Sequence, residues 1–146
     1  MWTKKSKQEL TIKQWIGFDD DKLHRLDGPA VEWPDGTQYW YVNGELHRLD
    51  GPAYEHAYGA KWWYANGKLH RMDGPAVELG EGSKSWWVNG KEHRLDGPAV
   101  ECEDGSKSWW VNGKELNTKE VETWLKENKV DLSEPEGQMA FKLRWS

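Results

Sequence analysis

The heptapeptide His-Arg-(Leu/Met)-Asp-Gly-Pro-Ala occurs four times in this chain, starting at His24, His47, His70 and His93, always 23 residues apart. A second phrase runs between the copies: two aromatic residues, a small apolar one, then Asn-Gly, as in Trp40-Tyr41-Val42-Asn43-Gly44 and again at Trp63, Trp86 and Trp109. A fixed period of this length belongs to repeat architectures, in which each unit packs mainly on its neighbours. It also argues against an enzyme, because catalytic sites are rarely made of four equivalent copies.

Each unit reads as two strands. Asn-Gly between aromatic and polar strand residues is the strongest short hairpin signal, since a type I′ turn needs positive φ at both central positions. A second turn falls at Pro34-Asp35-Gly36, Ala57-Tyr58-Gly59, Gly80-Glu81-Gly82 and Glu103-Asp104-Gly105. Asp-Gly-Pro within the heptapeptide signals a bend, with glycine and proline there for backbone shape. The expected fold is therefore all-β: a single-layer antiparallel meander, or solenoid, of four to five 23-residue hairpin repeats. Its 146 residues form one domain. Residues 1–23 make a degenerate opening unit, with a loose strand over Gln8–Phe18 and Asp19-Asp20-Asp21 at the turn. Residues 24–116 are the regular array and 117–146 a cap. In the cap, Asn117-Thr118-Lys119-Glu120 reads as a helix start with Asn117 as N-cap, and the helix runs to about Asn128. Pro135-Glu136-Gly137 reads as a turn, and the alternation of Met139, Phe141, Leu143 and Trp145 predicts a final strand.

Parity assigns the faces. A symmetric three-residue turn sets Glu32 opposite Gln38, and Glu55, Glu78 and Glu101 opposite Lys61, Lys84 and Lys107. Cross-strand opposite charges support that register. Trp40 then lies opposite both Ala30 and His47, and Leu46 opposite Tyr41. One face carries Ala30, Glu32, Trp40, Val42 and His47. The other carries Val31, Trp33, Tyr39, Tyr41, Leu46 and Arg48; being more apolar in the first unit, it is expected to be the packed one. Arg48 and Asp50, two apart on a strand, share a face and brace the bend.

The composition narrows the function. A net charge of −5 disfavours broad nucleic-acid binding. The single cysteine, Cys102, rules out an intrachain disulfide and suits a reducing cytoplasm. Neither a membrane span nor an export signal is read, so no membrane partner is expected. Equivalent residues of successive repeats lie two strands apart, about 9–10 Å. At that spacing His24, His47, His70 and His93 cannot converge on one metal, and Asp27, Asp50, Asp73 and Asp96 cannot form close carboxylate pairs. No metal, cofactor or catalytic group is expected.

Twelve tryptophans against two phenylalanines are harder to bury in a single layer. Trp40, Trp63, Trp86 and Trp109, flanked by His47, His70 and His93 and by Lys61, Lys84 and Lys107, form a mixed aromatic stripe suited to recognition; burial by twist and by the terminal helix is the competing explanation. His56 and Tyr58, where the second unit departs from the pattern, are candidates for a unique site.

The span from Asn89-Gly90-Lys91-Glu92-His93 to Asp104-Gly105-Ser106 resembles the MORN repeat, a 23-residue hairpin family, over residues 24–116. Asp-Gly-Pro-Ala stands where that family has Gly-x-Gly, and two residues are moved from one strand to the other. The nearer resemblance is to a MORN-like class with tandem His-Arg-x-Asp-Gly-Pro-Ala units, typical of tailed-phage and large-virus proteins, whose endings the helix after Asn-Gly-Lys-Glu-Leu also resembles. Together with the small size, the long face of the repeat scaffold and the lack of a catalytic constellation, that resemblance leads to the expectation of a phage-encoded protein in the host cytoplasm that binds and inhibits a host protein, such as an antiviral defence factor. Three alternatives stay open. One is a sponge for a small nucleotide signal, with Trp stacking the base and His, Arg and Lys near the phosphate. Another is a carbohydrate- or choline-binding repeat, because Trp-Tyr-x-Asn-Gly is similar to aromatic cell-wall-binding repeats. The third is structural assembly through exposed strand edges.

Overall fold

The computed structural model describes residues 3–4, 12–17 and 20–146. The fold is an antiparallel meander of short hairpins closed by two C-terminal helices. Among the described residues the main sheet has 11 strands, each hydrogen-bonded to its neighbour in an open row. Regular repeats each supply two short strands to it: Val31–Glu32 and Gln38–Tyr39, Tyr54–Glu55 and Lys61–Trp62, Val77–Glu78 and Lys84–Ser85, then Val100–Glu101 and Lys107–Val111. Lys114–Leu116 ends the row. Of the strand expected over Gln8–Phe18, Lys13–Ile16 is present; positions 8–11, 18 and 19 lie outside the described residues.

The register is the one the charges predict. Glu32 pairs with Gln38, Glu55 with Lys61, Glu78 with Lys84 and Glu101 with Lys107. Pairing between repeats continues the pattern, with Lys61 against Glu78 and Lys84 against Glu101. An alternating Glu/Lys row therefore crosses the sheet, and a slip by one strand position would set it against apolar residues.

The Asn-Gly hairpins form a second tier, separate from the main sheet: Tyr41–Val42 with Glu45–Leu46, Tyr64–Ala65 with Lys68–Leu69, and Trp87–Val88 with Lys91–Glu92. Asn43 and Gly44 have φ of 52° and 80°, and the three later Asn-Gly pairs match them, as a type I′ turn requires. Successive hairpins are stitched by backbone bonds such as Gly67 N–H to Leu46 O (2.9 Å) and Arg48 N–H to Tyr64 O (3.1 Å). Trp40 is the joint between tiers. Its N–H donates to Ala53 O in the main sheet (2.7 Å), and its carbonyl accepts from His47 N–H (3.0 Å).

Burial is concentrated on the face opposite to the one expected. Ala30, Ala53, Ala76 and Ala99 are fully buried beside the Trp40 row; on the other face Val31 is buried, but Tyr39, Tyr41 and Leu46 stay half exposed. At the array's end the cap adds to this burial. Helix α1 (Thr118–Glu127) and helix α2 (Pro135–Trp145) pack on the Trp40 face, enclosing Trp109, Val111, Leu116, Val121 and Phe141.

Helix α1 starts as the sequence predicts, with Asn117 Oδ1 accepting from Glu120 N–H (3.0 Å). The expected final strand is instead α2, and Pro135-Glu136-Gly137 is its first turn. Pro135 sits at the start of the helix, where its fixed φ and missing N–H carry no penalty. Gly137, Phe141 and Trp145 recur every four residues and face inward, leaving Met139 and Leu143 exposed. The same apolar residues satisfy an alternating pattern along the chain; packing against Trp109 and Trp124 selects the four-residue row.

Candidate functional site

The heptapeptide builds the most regular chemistry in the molecule. The Arg48 guanidinium lies over the Trp40 ring at 3.9 Å, and Arg71 over Trp63 and Arg94 over Trp86 repeat this at 4.0 and 3.7 Å. Arg48 Nε donates to Asp50 (3.0 Å), and its Nη1 donates to Pro52 O (3.1 Å) and Glu55 (2.9 Å). The equivalent bonds recur at Arg71 and Arg94. Parity had placed Arg48 on the face away from Trp40. The strand stops at Leu46, however, and the bend beyond it returns the arginine to the Trp40 side.

The glycines of this motif serve a different purpose from the one the sequence suggests. Gly51 does not adopt positive φ. A Cβ there would stand 2.8 Å from Arg48 Cζ, and Gly28, Gly74 and Gly97 meet their arginines at 2.7–2.9 Å. Glycine is needed for the close approach of the guanidinium, not for an unusual backbone conformation.

The histidines are inter-repeat clasps. His47 Nδ1 accepts from Asn66 N–H (3.0 Å), and His24, His70 and His93 do the same for Asn43, Asn89 and Asn112. Each ring holds the turn of the following hairpin with an unprotonated nitrogen. Burial pushes the His93 pKa below its ordinary value, and the nearby Lys142 charge adds to this. The carboxyls of Asp27 and Asp73 are held below the usual range by hydrogen bonds from Arg25 and Arg71.

Successive heptapeptide loops stand as walls with open grooves between them. The first groove, of 560 Å³, has Trp40, Val42 and His47 between the loops of Arg25–Gly28 and Arg48–Asp50. The second, 610 Å³, has Trp63, Ala65 and His70. The third, 510 Å³, has Trp86, Val88 and His93 and is bordered by Gln138 of α2. Leu26, Leu49 and Met72 stand at the loop tips, 75, 85 and 78 % exposed.

The grooves gather six of the residues expected from sequence: Trp40, Trp63, Trp86, His47, His70 and His93. They leave out Lys61, Lys84 and Lys107, which belong to the Glu/Lys row. Trp109 is not part of a recognition stripe; it is 6 % exposed and packs on Phe141 in the cap. His56 and Tyr58 lie beside each other, ring centroids 5.3 Å apart, at the end of an aromatic cluster of Tyr39, Tyr54 and Trp62 away from the grooves.

Two features escape the sequence reading. The loop-tip row of Leu26, Leu49 and Met72 is one; its signal is the invariably large apolar residue between Arg and Asp in a turn. The other is Trp15, which carries Arg25 at 4.0 Å as the first member of the tryptophan row. It is displaced by two residues because the opening hairpin is longer, with Gly17 N–H bonded to Lys22 O.

Among the described residues, no group of three or more His, Cys, Asp or Glu is placed to hold a metal ion, and no helix is long and apolar enough to cross a membrane. Comparison with protein-family models, with functionally described proteins and with solved structures gave no match to this chain.

Proposed function

We propose that this is a non-enzymatic binding protein whose recognition surface is the groove row and that its partner is another protein. The observation that carries this reading is the loop-tip row. Leu26, Leu49 and Met72 repeat the same exposure at the same position of successive units, where no fold requirement places a large apolar side chain outward. Apolar tips beside Trp-floored grooves and rimmed by charge have the make-up of a protein-binding patch. The resemblance of the repeats to those of phage proteins supports the narrower form, a phage-encoded inhibitor of a host protein such as a defence factor.

The nucleotide-sponge reading has less support. Each groove arginine is already committed through Nε to an aspartate, through Nη1 to a carbonyl and a glutamate, and through its face to a tryptophan. That leaves only Nη2 of each guanidinium for a phosphate, and the exposed groups beside it, Asp27, Asp50 and Asp73, are carboxylates, which repel it.

Affinity capture from the native host tests the proposal. Wild-type protein should enrich a specific protein, the variant carrying Leu49→Asp and Met72→Asp should lose it, and one carrying His56→Ala and Tyr58→Ala should retain it. Capture unaffected by the groove substitutions, or no enriched protein, would overturn the reading.

A further inference from the structure

We propose that the groove row accepts a proline-rich, basic segment of the partner in the polyproline II conformation. This inference rests on the protein-binding reading above and specifies its occupant.

The spacing selects the conformation. Equivalent grooves are one repeat apart, which is two strands of the sheet, or about 9.5 Å. A polyproline II helix has three residues per turn and a rise of 3.1 Å, so it presents the same side every ~9.3 Å. One turn of such a peptide matches one repeat of the protein. An extended β peptide presents the same side every two residues, about 6.7 Å, and is out of step by the second groove. Successive turns of an α-helix, at about 5.4 Å, do not match either.

The lining selects the chemistry. Each floor holds an indole, one face of it covered by its arginine, and each wall an apolar tip; the tips and the uncovered part of the indole are the surfaces on which pyrrolidine rings pack in proline-rich recognition. Because polyproline II has no internal hydrogen bonds and a solvated backbone, it needs side-chain grooves and no free sheet edge. The rims carry Asp27, Asp50 and Asp73, whose side chains are 77, 88 and 86 % exposed. The arginine charges beside them are half sunk against tryptophan, and the chain as a whole carries −5. A cation at every third position of the ligand would meet one aspartate per repeat.

The test uses synthetic peptides of one to five Pro-Pro-Arg triplets, titrated against the full chain by calorimetry and tryptophan fluorescence. Affinity should rise by about tenfold with each triplet over the first three, which fill the three grooves lined by described residues. A Pro-Pro-Glu series should bind at least about tenfold more weakly, because its charge opposes the rim. Asp50→Asn with Asp73→Asn should weaken the three-triplet peptide by about tenfold. Leu49→Ser with Met72→Ser, which leaves every rim charge in place, should weaken it as well. Equal binding of the acidic and basic series, affinity independent of length, or binding unaffected by either variant would overturn the inference. If no proline-rich probe binds while host capture still depends on Leu49 and Met72, the polyproline occupant is wrong and protein binding stands. Loss of both overturns both.

Discussion

Phe141 packs against the Trp109 indole with ring centroids 5.6 Å apart, and both residues are buried. Trp15, Trp40, Trp63 and Trp86 instead carry an arginine. One period beyond His93-Arg94 stand Leu116-Asn117, so the fifth tryptophan has no arginine of its own. Asn117 has become the N-cap of α1, and the helices that follow deliver Phe141 to the vacated position. Replacing a charged stack by an apolar one ends the repeat, since the last indole no longer presents a groove for another unit.

This arrangement makes Phe141 the keystone of the cap. Phe141→Ala should destabilise the protein by about 3–5 kcal/mol, the usual cost of emptying a fully buried aromatic site. Trp109→Phe should cost well under half of that. The Trp109 Nε1 is buried with no hydrogen-bond partner, so the smaller ring removes an unsatisfied donor while losing contact area. Urea unfolding of the two variants checks the order.

The arginine stacks predict an asymmetry between lysine and arginine. Lysine lacks both the flat face that covers Trp63 and the fork that reaches Asp73, Pro75 and Glu78 together. Arg71→Lys should therefore lose most of what Arg71→Ala loses, about 1–3 kcal/mol from combined cation–π and charged hydrogen-bond contributions. Gly74→Ala should act through the same stack, because its methyl would stand 2.9 Å from Arg71 Cζ. Overpacking of this kind costs about 1–3 kcal/mol, and a changed Trp63 environment in the fluorescence spectrum would accompany it. An unaltered spectrum with unaltered stability would show that the stack is dispensable.

How much of this was legible in the sequence divides along a physical line. The Asn-Gly turns and the Glu/Lys register are set by nearest neighbours along the chain and across one ladder, and both were readable. The N-cap at Asn117 is equally local. Arg48 was assigned to the wrong face because parity counts only while the strand continues, and it ends at Leu46. The region of α2 was misread because Met139, Phe141, Leu143 and Trp145 fit an alternating pattern; only Trp109 and Trp124, brought in by tertiary packing, decide which of them face inward. Leu49 and Met72 were not singled out, because only their exposure separates them from the buried alanines of the same motif.

His93 carries the pH dependence. Its Nδ1 accepts from Asn112 N–H, and burial, with Lys142 second, lowers its pKa. A lowered native pKa means that the unfolded chain binds the proton first, so stability is highest above the free imidazole value of about 6.5 and falls as the pH drops below it. An imidazole titration followed by NMR should place His93 below that value, and Lys142→Gln should raise it part of the way back. A His93 titrating at or above the free value would contradict the clasp.

The loop tips provide the sharpest separation of function from folding. Leu49 and Met72 are exposed at the apices of their loops and contribute little buried area. Exchanging either for serine should change the unfolding free energy by no more than about 0.5 kcal/mol, as for surface positions generally. Phe141→Ala should show the reverse pattern at the first groove, lined by Trp40 and His47, because it weakens the cap at the other end of the row, where Gln138 borders the third groove. If Leu49→Ser and Met72→Ser each lowered stability by several-fold more than that limit, the tips would be packing residues. Their exposure would then carry no meaning for recognition. Equilibrium unfolding of the two variants, set beside their binding to the captured partner, decides the matter: stability unchanged with binding lost is the outcome the exposed row predicts.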